Sequence, residues 1–156
     1  MVIKTITLVA GLSWALAGLA ADVTYRGEIQ PLIKAQCAEC HGDDSPTLAE
    51  FNLAPEKYTK EKQGPRTSTY ETLLQLVGWP DTGALMRRLD DGSQTADKKP
   101  GNMNKHLGDT PELRAANLKL LKTWVGEGGW NLNRWQKRGD VPAISKEQLD
   151  LIKLKY

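Results

Sequence analysis

Two cysteines two residues apart, with a histidine directly behind the second, constrain this chain more than any other feature. Cys37-Ala38-Glu39-Cys40-His41 holds both cysteines of the 156-residue chain and one of its two histidines. A disulfide across so short a loop removes little chain entropy, so the pair makes a poor staple. A thioredoxin-like dithiol sits in a βαβ setting, which the helical patterning around the motif does not supply. A zinc site needs about four Cys or His ligands, and Cys37, Cys40, His41 and His106 are all that the chain offers. The same C-x-x-C-H string is the attachment motif of a c-type haem. There each thiol adds to one vinyl group of the ring and forms a thioether, while the adjacent imidazole becomes the proximal iron ligand. The spacing is demanding, because the cysteines must reach two edges of one macrocycle while the histidine sits under its centre.

An export signal strengthens the haem reading. Lys4 gives a positive start, Ile6 to Leu19 is a nearly unbroken apolar stretch, and Gly18-Leu19-Ala20-Ala21 supplies small residues ahead of Asp22. This is the pattern of a cleaved secretory signal, so residues 1–21 are expected to be removed and Ala21 or Asp22 to begin the mature chain. The apolar stretch falls short of the roughly 20 residues that span a bilayer core, so no stable membrane insertion is expected. The formal net charge is +2. Loss of Lys4 lowers it by one and two haem propionates make it slightly negative, so no nucleic-acid partner is expected of a chain without a marked basic patch.

Helical signals dominate the remainder. Tyr25 to Gln36, with Pro31 suited to a first turn, predicts a short helix that the motif residues continue. Residues 42–66 read mostly as loop. Ser68 and Glu71 stand at capping-box spacing ahead of Leu73, Leu74 and Val77, a second helix that Gly78 ends. Gly83 to Leu89 predicts a further helical turn, with Leu85, Met86 and Leu89 on its apolar side, and 93–105 predicts loop. Thr110, Pro111 and Glu112 start the best-defined helix and Gly126 stops it; Leu113, Ala116, Leu120, Leu121 and Trp124 are its expected buried face. Ser145 and Gln148 open a short amphipathic ending that includes Ile144, Leu149, Ile152 and Leu154.

In this order of features the chain resembles the class I cytochromes c over roughly Tyr25 to Val125: an N-terminal haem motif, a loop methionine in Pro100-Gly101-Asn102-Met103, then a C-terminal helix. The resemblance implies an all-α fold, a small helical domain (22–126) around one covalently bound haem c, with long loops. It leaves 127–156 as a C-terminal extension, packed on the domain or docking a partner. It also implies contact between the last helix, through Trp124, and the helix ahead of Cys37. Cys37 and Cys40 are the expected thioether residues and His41 the proximal iron ligand. Met103 is the candidate sixth ligand, a soft sulfur donor that favours ferrous iron and raises the reduction potential. His106, one turn away in sequence, competes with it, as does an open site; Met86 reads better as core filler. Trp79, Trp124, Trp130 and Trp135 are candidates to pack on the ring or on each other, and the adjacent Arg87 and Arg88 read as solvated. The resemblance further implies an electron carrier that cycles between ferric and ferrous iron and exchanges electrons with redox protein partners; export together with covalent haem makes the periplasm the expected location. A haem enzyme or gas sensor with an exchangeable sixth ligand, or a subunit of a larger respiratory complex, is the alternative.

Overall fold

The computed structural model describes residues 22–78, 80–81, 83–93, 95, 97–126, 129 and 145–156. The expected leader and Trp79, Trp130, Trp135 and Ile144 lie outside the described residues. All regular structure among those described is helical.

Thr24 starts the first helix. Its hydroxyl accepts from the Gly27 N–H at 3.0 Å and the Glu28 carboxylate accepts from the Thr24 N–H at 2.7 Å. The opening turn, Tyr25–Ile29, is widened into a π turn, and the Ile29 N–H reaches back to the Thr24 carbonyl. Helix α1 (Gln30–Gln36) continues it with Pro31 in its first turn, where a missing N–H costs little. The motif does not extend this helix unbroken. Cys37, at φ −122° and ψ −19°, interrupts it, and α2 (Ala38–His41) follows as a single turn.

Residues 42–66, expected to be mostly loop, contain two short helices, α3 (Leu48–Leu53) and α4 (Pro55–Lys60). Thr47 and Glu50 form a reciprocal capping box on α3, and Pro55 opens α4. Between them they bury only Leu48, so hydrophobic periodicity misses them. Helix α5 (Tyr70–Val77) is capped by Thr69, one residue later than the predicted Ser68. Helix α6 (Ala84–Leu89) follows Gly83, whose φ of 71° suits glycine. A 3₁₀ turn at Asn104–Leu107 then leads to α7 (Pro111–Val125), which starts at Thr110 and ends at Gly126 as its punctuation predicts.

The core forms where the opening π turn packs on α7 and α5 packs on α6. Tyr25, Ile29, Leu32 and Ile33 share it with Leu73, Leu76 and Val77, with Leu85, Met86 and Leu89, and with Leu118, Leu121, Trp124 and Val125. Each large apolar side chain so buried contributes about 1.5–3 kcal/mol. On α7 the buried stripe is narrower than the predicted one. Leu113 is 42% exposed and Ala116 faces solvent, because the first turns of α7 run past the core and Leu113 lies over Gly108.

The end of the chain crosses this core. After α8 (Lys146–Asp150), the Lys153 and Leu154 N–H groups donate to the Val125 and Trp124 carbonyls, and the Tyr25 N–H donates to the Lys155 carbonyl at 2.8 Å. Tyr156 stacks on Tyr25 with ring centroids 5.7 Å apart, and Arg26 lies over its other side. Residues 151–156 thus form an extended strap rather than a continuation of the amphipathic helix.

Candidate haem site

The interruption at Cys37 sets the geometry of the motif. The Cys37 N–H still bonds the Ile33 carbonyl at 2.8 Å, while the Cys40 and His41 N–H groups both turn back to the Cys37 carbonyl. One helical turn therefore presents Cys37 and Cys40 on the same face, as residues three apart are. Both thiols are free and half-buried. Burial, with a smaller contribution from Cys40, pushes the Cys37 thiol up to about 11. A redox dithiol needs a depressed thiol pKa, and burial shifts the Cys37 thiol the opposite way.

His41 is held by a segment that reads in the sequence only as loop. Its Nδ1 lies 2.7 Å from the Pro65 carbonyl oxygen. A carbonyl only accepts, so the proton sits on Nδ1 and the Nε2 lone pair is left for a metal. Burial, the largest influence, lowers the imidazole's pKa; the Pro65 bond opposes this and the charges of His106 and Arg88 add to it. A neutral imidazole is the ligating form.

The residues around Pro65 stitch the same segment to the motif. The Gly64 N–H donates to the Cys40 carbonyl at 2.8 Å, and the Thr67 N–H donates to the His41 carbonyl at 2.9 Å. The Ser45 hydroxyl also donates to the Cys40 carbonyl, and the Arg66 guanidinium grips the Ser45 carbonyl through Nε and one terminal nitrogen. Gly64 lies against the imidazole so closely that a Cβ there would overlap the ring. The sequence signal that could have found this brace is Gly64-Pro65, glycine and proline together after a polar stretch.

Met103 hangs on the end of α6. Its N–H donates to the Arg88 carbonyl at 2.9 Å, the Asn104 side-chain amide donates to the Leu89 carbonyl at 2.8 Å, and the Gly101 N–H donates to the Asp90 carbonyl at 2.8 Å. Three consecutive carbonyls that a helix C-terminus leaves unpaired are thereby satisfied by one loop. Gly101 is obligatory, since a Cβ would meet the Arg87 and Arg88 carbonyls. The Met103 side chain is half-buried against the core. Arg88 and His106 flank this loop, and the charge of each lowers the His41 imidazole's pKa. His106 itself is exposed, and Met86 is fully buried in the core.

One expectation changes and another holds. Arg87 is not solvated: it is 5% exposed and its guanidinium donates to Asp81 at 3.0 Å, because the tight turn before α6 folds Asp81 back over it. Trp124 is fully buried beside Tyr25, in the contact expected between the two helices. Its Nε1–H donates to the Lys155 carbonyl at 2.9 Å, so the strap satisfies the indole.

These residues fit a covalently attached haem: two thiols on one turn, an imidazole with Nε2 open, a glycine where a ring needs room, and a sulfur donor on a pinned loop. A family model described as PccH cytochrome c matches residues 24–156. Among solved structures, the monohaem cytochrome PccH from Geobacter sulfurreducens is similar at 48% sequence identity and a TM-score of 0.75, over 86% of this chain and 99% of that one. No curated protein matches.

Proposed function

The chain belongs to the PccH cytochrome c family and carries one covalently bound haem c, and on that premise we propose that it is an exported electron carrier of the periplasm. In this reading Cys37 and Cys40 form the thioethers, His41 is the proximal ligand and Met103 the distal one. The haem supplies a reversible one-electron couple, Fe(III)/Fe(II).

The chain's own residues then do three things. The Pro65 carbonyl holds the His41 Nδ1 proton, fixing the ring's orientation and its basicity. The α6 carbonyls hold Met103 in place through the backbone, so that its sulfur would stay available as a ligand to a bound haem iron. Half-burial of Met103 and of Cys37 against the core would limit the access of water to a haem held there. No bond to a substrate is made or broken, and redox proteins are the expected donor and acceptor. The single observation that carries this reading is the 2.7 Å contact between His41 Nδ1 and the Pro65 oxygen.

The test is the absorption spectrum of the oxidised holoprotein. A weak long-wavelength sulfur-to-ferric-iron charge-transfer band, present in wild type and absent in Met103→Ala, is the expected result. His106 supports a second reading, because its charge reaches His41 from the turn that follows Met103. A haem-loaded wild type without the band, whose spectrum changes in His106→Ala, selects that ligand. Binding of carbon monoxide or cyanide to the native protein favours the enzyme or sensor reading. Export is checked by sequencing the amino terminus of periplasmic protein, expected at Ala21 or Asp22.

A further inference from the structure

We propose that the Asp90–Lys122 ion pair, buried at its carboxylate end, is a positioning clamp that holds the Met103 loop against the end of α6, where Met103 would serve as an iron ligand; this rests on the Met103 assignment above. Asp90 is the residue that ends α6, and its side chain is fully buried. One carboxylate oxygen accepts from the Gly92 N–H at 2.8 Å, the other faces Lys122 Nζ of α7 at 3.5 Å, and the same residue's carbonyl accepts from the Gly101 N–H. One residue thus joins three pieces of chain: the end of α6, the methionine loop and the last long helix.

The connection is directional. Gly92, at φ 81°, brings the turn after Asp90 against the Lys99–Pro100 backbone, where a side chain would not fit. From there two residues lead to the Gly101 bond, and two more to Met103. Displacement of Asp90 therefore moves Gly92 and Gly101 together. A buried carboxylate that loses its cation is left uncompensated, so the loop follows the pair rather than moving apart from it. Ordinary packing would tolerate a slide here; an ion pair buried at one end does not.

The experiment uses the ferric holoprotein and imidazole as an external ligand, in wild type, Asp90→Asn, Lys122→Met, the double variant and Lys122→Arg. Asp90→Asn keeps the shape and the acceptor for Gly92 while removing the charge. Each single charge-removing variant is expected to bind imidazole about tenfold faster, with the double variant no faster than either, since coupled partners are not additive. Lys122→Arg is expected to stay near wild type, and the charge-transfer band in the absence of imidazole to weaken only in the charge-removing variants. Unchanged imidazole rates and band with a lowered thermal midpoint make the pair a fold support only and overturn the proposal. If the wild-type band is missing, the Met103 assignment fails by itself. Hydrogen exchange at the Gly101 and Met103 amides then decides the clamp: faster exchange in Asp90→Asn supports it and unchanged exchange overturns it.

Discussion

At the scale of single residues, the site depends on atoms that are missing as much as on those present. Gly64 has no Cβ because the His41 ring occupies that space. Gly64→Ala is expected to force the imidazole off the Pro65 carbonyl, with a cost of about 1–3 kcal/mol for the overpacking. The measure is the yield of covalent haem per protein, which should fall while far-ultraviolet helicity persists; an undiminished yield would show that the brace gives way at no cost. Cys37 carries a prediction in pH. Burial raises its pKa above the ordinary thiol value, to about 11, so the neutral thiol is favoured. In a haem-free Cys40→Ser chain, alkylation of Cys37 by iodoacetamide should rise tenfold per pH unit from neutrality to about pH 10 without a plateau. The sign for stability follows from the same raised value. In that haem-free chain, where Cys37 is a free thiol, the contribution is complete below the ordinary thiol range and is lost as pH climbs toward 11.

Among the elements, the short helices are local constructions and the long one is tertiary. Helix α3 rests on Thr47, whose hydroxyl accepts from the Glu50 N–H at 3.2 Å while the Glu50 carboxylate accepts from the Thr47 N–H at 2.8 Å. Thr47→Ala is expected to cost about 1 kcal/mol, seen as a lower thermal midpoint with an unchanged haem spectrum. A spectral change in this variant would mean that α3 bears on the site more directly than its exposed cap implies. Helix α7 needs no such local device beyond Thr110. Burial of Leu118, Leu121, Trp124 and Val125 holds it. The C-terminus of α6 is different again, since its free carbonyls are partnered by the methionine loop, and a helix end thereby becomes part of the site.

For the molecule as a whole, the two ends of the described chain are tied together. Lys155 pairs with Asp22, the Lys155 carbonyl accepts from both Tyr25 and Trp124, and the Tyr70 hydroxyl donates to the Leu154 carbonyl at 2.7 Å. Truncation after Asp150 removes all of these partners and leaves the Trp124 indole N–H buried without an acceptor, which costs about 1–3 kcal/mol before any lost packing. The expected result is a thermal midpoint lower by several degrees, with a shifted tryptophan emission and an unaltered ligand field at the iron. If the midpoint is unchanged, the strap does not stabilise the core.

The sequence by itself determined the haem motif, the helical patterning, and the caps and stop of α7. Each of these is written in neighbouring residues: a five-residue string, a Thr-Pro start, a glycine stop, a 3.6-residue period. Only the tertiary structure decided the rest. Pro65 meets His41 across an intervening pair of short helices, and Arg87 is buried because Asp81 folds back to it. The face of α7 is cut short because its first turns run beyond the core, and the last six residues are a strap because Val125, Trp124 and Tyr25 offer their backbone groups to it. Such pairings join residues far apart in the chain whose types carry no local signal. Gly64 in a sequence is a turn residue, and only the ring lying against it makes it part of a site.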